Sequence, residues 1–495
     1  MSLDGETAEA PFEEAFDYVV VGSGAAGASA ARVLADAGAS LAVLEEGPRV
    51  ETSEFGDRLW PALSRLFRDQ GGQAARGRAM IPVLQGSCLG GSTVVNSAIM
   101  WRIPDDVWKP WEDEYGLGEA LPLAALHANW DQIETELNVR PVAEESWGAN
   151  RLMAEAARAL GVSAAPTRRG DTGCRGSGRC LTGCPHGAKQ SMLVSYLPYA
   201  EKRGAALHSA ARAERVVLKG GRAVGVEGTL RGRGRGQPFR VHARKGVLIG
   251  ASAIQTPQLL ARSGVRSPHL GRHFQGHPGG PMTGVFDKPV NMWFGATQGY
   301  DADHWRRELR AKIETISLPP EMILARAPGA GRRWLSAAAE AGHLAVWAVQ
   351  LRAYARGSVR EGWLGADIRY TPEPRDMENY RKALRRTAEL LFAAGAREVR
   401  PGIYGLPETL RPGEESRLDD APLDPRAYAM ILSHLFGTAR MSLRPADGVV
   451  GPDFAVHGTE NLFVIDSSIF PTNLGVNPQE AIMGVAMLAA RRILE

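Results

Sequence analysis

The chain has 495 residues, enough for two or three domain-sized units with cores of their own. Its 44% hydrophobic and 23% charged residues are typical of a soluble globular protein, and a net charge of +3 argues against nucleic acid as a partner. Only four cysteines are present, so we expect no disulfide framework and a cytoplasmic location. We expect neither a membrane span nor a secretory leader.

The first predicted unit is a strand, a glycine-rich turn, a helix, a second strand and an acid. The apolar strand Phe16–Val21 leads into the turn Gly22–Gly27 and an alanine-rich helix. The next apolar strand, Ser40–Leu44, ends in two glutamates. Such a turn lets the backbone approach a pyrophosphate at the helix N-terminus, and an acid about 20 residues on binds ribose hydroxyls. We therefore predict a dinucleotide site that includes Gly22, Gly24, Ala25, Ala26, Gly27, Glu45 and Glu46.

A second glycine-rich loop, Gln85–Asn96, follows this unit. Small residues allow its backbone to lie against a flat ring, and the Asn96 carboxamide can form a hydrogen bond to that ring. This loop favours a flavin over a nicotinamide. Its candidate cofactor residues are Gly90, Gly91, Ser92 and Asn96.

The middle of the chain alternates between helical and strand patterns. Residues 112–170 are mainly helical, and the alternating runs Ala213–Leu218 and Ala223–Val226 predict a hairpin. The run Arg231–Gly236 has a composition that can bind RNA, but its strand-like flanks favour an exposed hairpin tip. From about residue 286, an α+β texture of antiparallel strands and one amphipathic helix predicts a wall on the substrate side.

The last part of the chain offers one imidazole and one carboxamide in glycine-rich contexts. His434 precedes Gly437-Thr438, and Asn477 precedes a helix that is expected to begin at Pro478. The free N–H groups of a helix start suit a group that becomes negative during a reaction, such as a reduced flavin.

These segments, in this order, resemble the glucose–methanol–choline (GMC) flavoprotein oxidoreductases over nearly the whole chain. The matching pieces are the Gly22 turn with Glu45, the Gly86–Asn96 loop, the segment Gly250–Leu260, and the two segments around His434 and Asn477. The resemblance is weakest over residues 286–425.

The resemblance implies an α/β fold with an α+β part. A discontinuous Rossmann-like FAD-binding domain would comprise residues 16–110, 200–285 and 430–495, and an antiparallel-sheet substrate domain would comprise 286–429. Residues 111–199 would form a helical segment that covers the FAD and carries a cysteine-rich loop. The resemblance further places Ala213, Ala251, Asp466, Ser467, Asn477 and Pro478 at the cofactor. Some members attach FAD covalently through a histidine where this chain has Val95, so we expect non-covalent FAD.

By the same resemblance, alcohols are oxidised by hydride transfer to flavin N5, with His434 and Asn477 at the two active-site positions. A neutral imidazole can take the hydroxyl proton, and an amide can donate to the developing alkoxide. His277-Pro278 matches a family element that we interpret as structural. The substrate is expected to be an apolar or steroid-like alcohol, because apolar residues near Met292 and Met322 offer a lining with few charges.

Three cysteines, Cys174, Cys180 and Cys184, lie in one short loop, and Pro185 follows the last. Their spacing resembles a three-cysteine motif that holds a [3Fe–4S] cluster in bacterial FAD-dependent glucose dehydrogenases. Such a cluster would pass electrons to an acceptor protein. Zinc, for which a fourth ligand is not evident, and plain structural thiols are the alternatives.

Two other functions remain open. The same scaffold can carry a lyase or isomerase in which FAD is structural, and the histidine–asparagine pair could then transfer a proton. A non-catalytic electron-transfer flavoprotein is disfavoured, because both active-site positions hold competent residues. Bleaching of the flavin by substrate without oxygen separates oxidation from the lyase or isomerase.

Overall fold

The computed structural model describes residues 2–8, 10–143, 147–232, 236–325, 327, 329–363 and 365–495. The helices are Ala25–Asp36, Leu59–Leu66, Asp105–Asp113, Leu123–Glu136, Gly148–Leu160, Tyr196–Glu201, Ser252–Arg262, Pro320–Leu324, Arg332–Ala339, Pro374–Ala393 and Gln479–Leu494. No helix within these ranges is long and apolar enough to cross a membrane.

The first sheet combines segments from both ends of the chain. Its parallel centre pairs Phe12–Val21 with Leu41–Leu44 on one side and with Pro238–Ile249 on the other. The order along the sheet is Leu3–Asp4, Ala206–Ser209, Leu41–Leu44, Phe12–Val21, Pro238–Ile249, Arg222–Leu230 and Ala211–Lys219, with Leu462–Val464 also paired to Pro238–Ile249. The central strands read as continuous apolar runs because their residues, Leu41–Leu44 for example, are buried on both faces.

The predicted hairpin is confirmed, since Ala211–Lys219 and Arg222–Leu230 pair antiparallel. Arg222–Leu230 and Pro238–Ile249, which flank the arginine–glycine run, also pair antiparallel. The centre of that run, residues 233–235, lies outside the described residues, so the expected hairpin tip stays a prediction.

The second sheet is antiparallel. Its order is Glu398–Arg400, Gln275–Val285, Leu344–Leu351, Ala311–Ile316, Tyr300–Ala302 and Ala165–Pro166, with Ile431–Phe436 also paired to Gln275–Val285. The predicted amphipathic helix, Pro374–Ala393, packs against this sheet and buries Met377, Tyr380, Leu384, Ala388 and Leu391. Two smaller sheets consist of Ser358–Gly362, Gly365–Arg369, Ala74–Arg76 and Met80–Pro82, and of Val139–Pro141 with Arg168–Gly170.

This architecture matches the fold class expected from the sequence, α/β with an α+β part. The expected domain boundaries stay a prediction, but two strands pair outside the first sheet. Gln275–Val285 and Ile431–Phe436, both assigned to the cofactor domain, belong to the antiparallel sheet. His434 therefore lies on a strand of the second sheet, where that sheet meets the first domain.

Candidate active site

A cavity of about 740 Å³ lies between the two large sheets and is lined by segments from across the chain. The glycine-rich turn, the loop before Asn96 and the C-terminal segments all contribute to its wall. The sequence-predicted residues that line it are Gly22, Gly24, Ala25, Ala26, Glu45, Glu46, Gly91, Ser92, Asn96, Ala213, Ala251, His434, Asp466, Ser467, Asn477 and Pro478.

Two predicted glycines, Gly27 and Gly90, do not line the cavity but allow the segments around it to pack closely. A Cβ at Gly27 would lie 1.8 Å from the carbonyl oxygen of Gly22, so the helix packs on the turn only because that Cβ is absent. Gly90 has a φ of +95°, and its N–H donates to Ser23 Oγ at 2.9 Å. This bond joins the two glycine-rich segments.

The residues at one end of the cavity fit a pyrophosphate. The helix Ala25–Asp36 begins there, with no side-chain cap and no acid in its first turn, so its N–H groups are free to bind an anion. A Cβ on Gly91 would lie 2.9 Å from Gly24 Cα, so the two glycine segments meet as bare backbone. Charge and shape both suit the phosphates of a dinucleotide.

The two glutamates after the second strand have different surroundings. Glu45 Oε2 accepts hydrogen bonds from Ser23 N at 3.1 Å and Ser23 Oγ at 2.6 Å, and Oε1 accepts one from Gly47 N at 2.9 Å. Burial raises the pKa of Glu45. Burial opposes ionisation of Glu46 too, but its ion pair with Arg68 holds the pKa of Glu46 below its ordinary value. Glu45 thus fixes the turn, and its bond to a ribose stays a prediction.

The C-terminal segments form hydrogen bonds to the loop Gln85–Asn96 and to the helix Ser252–Arg262. Asp466 accepts hydrogen bonds from Ser252 N at 2.9 Å and Thr256 Oγ1 at 2.6 Å. Asn96 Nδ2 donates to Gln479 Oε1 at 2.6 Å, at the start of the last helix. That helix runs from Gln479, with Pro478 as its uncapped preceding residue, within one residue of the expected start.

His434 forms a pair with His277. The Nδ1 atoms of the two rings are 3.1 Å apart, and His277 Nε2 accepts a hydrogen bond from the Gly475 N–H at 2.9 Å. Since Nε2 of His277 accepts, the proton of its neutral ring is on Nδ1 and points at His434 Nδ1. His434 then carries its own proton on Nε2, which has no hydrogen-bond partner among the described residues. In this state His434 offers a donor to the cavity.

Both histidines are neutral at ordinary pH. Burial lowers the pKa of His434 to about 4, with Glu314 raising it and Lys312 lowering it further. Burial and the neighbouring His434 also place the pKa of His277 well below its ordinary value. The prediction that His277 is only structural therefore misses its contact with the candidate active-site imidazole.

Asn477 lines the same cavity and is held from behind by a lysine. Its Oδ1 accepts a hydrogen bond from Lys312 Nζ at 2.7 Å. Lys312 is fully buried, and Nζ also contacts Glu314 Oε1 at 2.5 Å and Asp301 Oδ2 at 3.9 Å. Lys312 was not among the site residues predicted from the sequence. A basic residue two positions before an acid in an otherwise apolar strand was the signal available.

The apolar lining expected near residues 292–324 is only partly present. Met322 lines the cavity, together with Ile99 and Leu181. Met292 is buried in a separate hydrophobic cluster, and Phe294 is 61% exposed. Met292 and Phe294 are close in the sequence, but their side chains lie in different surroundings, and neither lines the cavity.

The loop that carries Cys174, Cys180 and Cys184 lies beside the loop Gln85–Asn96. Arg169 Nη2 donates to Cys180 Sγ at 3.3 Å, and Lys189 Nζ donates to the carbonyl oxygens of Val94, Asn96 and Cys180. Burial opposes ionisation of Cys180, but the two cations bring the pKa of its thiol down to about 7. Across the described ranges, no group of three or more His, Cys, Asp or Glu residues is arranged to hold a metal ion. The structure therefore gives no support to a cluster on Cys174, Cys180 and Cys184.

Comparisons with known proteins agree with this geometry. Two family models described as GMC oxidoreductase match residues 16–279 and 354–486. An uncharacterized GMC-type oxidoreductase of Mycobacterium tuberculosis is 37% identical over 492 residues, which are 98% of this chain and 76% of that protein. A long-chain-alcohol oxidase of Arabidopsis thaliana is 27% identical and covers 96% of this chain and 67% of its own length.

Among solved structures, a formate oxidase from Aspergillus oryzae, in a study of the effect of a mutation on FAD modification, has the same fold. The match has a TM-score of 0.75 at 16% identity and covers 97% of this chain and 98% of that one. The family implies FAD, and the end of the cavity that suits a pyrophosphate fits it. The chain belongs to the GMC oxidoreductase family and is a flavoprotein oxidoreductase.

Proposed function

We propose that this protein oxidises an alcohol CH–OH group to a carbonyl, with FAD bound non-covalently in the large cavity. The observation that carries the proposal is the meeting of His434 and Asn477 in the cavity that the glycine-rich turn lines. One group can act on the hydroxyl proton and the other can donate to the oxygen that becomes negative. Val95, at the position where some relatives attach FAD through a histidine, has no nucleophile for a covalent bond.

Bound FAD supplies the acceptor for the hydride that leaves the alcohol carbon. The chain's own residues hold the substrate oxygen and move its proton. Asn477 Nδ2 donates to that oxygen and so orients the C–H bond. His434 receives the hydroxyl proton at Nε2, and the neutral ring is available because its pKa of about 4 keeps it unprotonated at ordinary pH.

Proton transfer to Nε2 requires a change of tautomer. His434 must first hold its proton on Nδ1. Either His277 keeps its own proton on Nδ1 and the hydrogen bond between the two rings is lost, or that proton moves to Nε2 and the bond from the Gly475 N–H is lost. Losing one buried hydrogen bond costs about 1–3 kcal/mol. The bound hydroxyl can drive the change only by interacting more favourably with an unprotonated Nε2 than with an Nε2–H, by at least this amount.

We propose an apolar or steroid-like alcohol as the substrate. Ile99, Leu181 and Met322 supply an apolar part of the wall, and relatives that align over nearly the whole chain include long-chain-alcohol oxidases. The electrons then pass to an external acceptor, and the oxidase relatives favour dioxygen over an acceptor protein.

Iron and sulfide counts on anaerobically purified protein test whether Cys174, Cys180 and Cys184 hold an iron–sulfur cluster.

The proposal is tested by screening alcohols in the absence of oxygen and monitoring flavin reduction by absorbance. We expect an apolar alcohol to bleach the flavin. His434→Ala should lower the reduction rate at least ~10²-fold while FAD stays bound, because the proton acceptor is lost. His208→Ala is the control: it removes a fully buried imidazole that does not line the cavity.

Reduction of the His434→Ala variant at the parent rate would remove this residue from the mechanism. Conversion of an alcohol without any bleaching would instead favour the lyase or isomerase, with FAD structural. Running dioxygen and an artificial dye in parallel distinguishes the acceptors.

A further inference from the structure

Lys312 lies on the strand Ala311–Ile316 of the antiparallel sheet. Successive side chains of a strand point to opposite faces, so Lys312 and Glu314 share one face. Asp301 is directly opposite Glu314 on the neighbouring strand. Two carboxylates thus surround one ammonium group, and all three side chains are at least 94% buried. A lysine this deeply buried requires such partners, because an unpaired buried charge is strongly unfavourable.

The remaining polar contact of this ammonium group is Asn477. Nζ donates to Asn477 Oδ1 at 2.7 Å and also lies 4.9 Å from the centre of the Trp101 ring. A lysine ammonium has three donors and no acceptor, so it can hold only the oxygen end of a carboxamide. The amide therefore has one orientation, with Nδ2 turned away from Lys312. Among the described residues Nδ2 has no hydrogen-bond partner, and Asn477 lines the cavity.

We propose that Lys312 is a positioning residue: it holds Asn477 Oδ1 so that the Nδ2 group faces the substrate oxygen. This inference rests on the proposed alcohol oxidation. A carboxamide free to rotate by 180° would present a lone pair to the substrate oxygen in half of its states and would repel the negative charge that develops there. A positive charge behind the amide also polarises it and strengthens the N–H donor. Lys312 itself does not line the cavity, so it acts through Asn477.

A double-mutant cycle on the FAD-loaded enzyme separates positioning from general support of the fold. Lys312→Met should lower the rate of flavin reduction ~10- to 100-fold, and Asn477→Ser at least as much. In the Asn477→Ser background, Lys312→Met should cost no more than ~3-fold, because the group through which it acts is already gone. Thr167→Val is the control. It deletes a hydroxyl that donates to Asp301 in the same buried cluster, and its rate should stay near that of the parent.

Additive losses in the cycle, or a Thr167→Val variant as slow as Lys312→Met, would overturn the proposal. If Lys312→Met fails to fold, the cycle is repeated with Glu314→Gln in every protein, which removes the nearer of the two carboxylates that lose their cation.

A second readout does not depend on turnover. The losses in Tm of Lys312→Met and Asn477→Ser should overlap, so that the double variant melts above the additive value, because both changes remove the same hydrogen bond. If no alcohol reduces the parent flavin, the proposed function fails, while this thermal cycle still judges the contact. Additive losses in Tm would then refute the positioning of Asn477 by Lys312, and overlapping losses would support it.

Discussion

The two ends of the cavity are built in different ways. The pyrophosphate end is mostly backbone: Gly24 and Gly91 approach each other, and an uncapped helix start faces the space. The catalytic end consists of buried side chains from four distant segments, with the pair of His277 and His434 beside the pair of Lys312 and Asn477. The first end has no room for a Cβ at Gly27 or Gly91, whereas the second depends on protons and hydrogen-bond direction. Substitutions at the two ends should therefore fail in different ways.

The largest expected effect breaks the backbone end. In Gly27→Ala the new Cβ would lie 1.8 Å from the Gly22 carbonyl oxygen, so the turn and the helix must move apart. We expect FAD affinity to fall ~5- to 150-fold, since overpacking a rigid contact costs about 1–3 kcal/mol. Titration of the apoprotein with FAD, followed by fluorescence quenching, measures this.

Gly148→Ala is the matched control, because its Cβ would meet nothing closer than Val290 O at 3.6 Å. Its FAD affinity should equal that of the parent. An alanine at position 27 that binds FAD normally would show that the tight contact between helix and turn is not needed.

The smaller expected effect is a pH dependence of Tm that arises from His434, at the catalytic end. Burial lowers the pKa of His434 to about 4, from about 6.5 in the unfolded chain. Between these pH values the unfolded state binds more protons than the folded state, so His434 contributes stability above pH 6.5 that is lost as the pH falls towards 4. The Tm of the parent should therefore fall more steeply over this range than that of His434→Asn, by about 2 °C or more.

Thermal melts of both proteins at several pH values measure the difference between the two slopes. His277 is present in both proteins, so its own depressed pKa contributes to each. Equal slopes would mean that His434 is not buried in its neutral form, and the proposed proton acceptor would lose its main support.

Much of the cofactor end was predictable from the sequence because its determinants are local. A strand, the turn Gly22–Gly27, a helix and an acid lie within about thirty residues, and Gly22 and Gly27 each have a steric reason that a pattern can express. The resemblance of segments near His434 and Asn477 to a known family predicted the candidate catalytic pair in the same way. The relation between these two residues and their supports had no such local signal.

The sequence by itself determined the cofactor class, the main strands and helices, and the identity of the candidate catalytic residues. Only the tertiary structure decided that the strand bearing His434 pairs in the second sheet, that His277 fixes a tautomer, and that Lys312 holds Asn477. Lys312 and Asn477 are separated by 165 residues, and His277 and His434 by 157. The physical reason is that backbone sterics and apolar periodicity act between neighbours in the chain, whereas a buried charge finds its partner only after the sheets have packed.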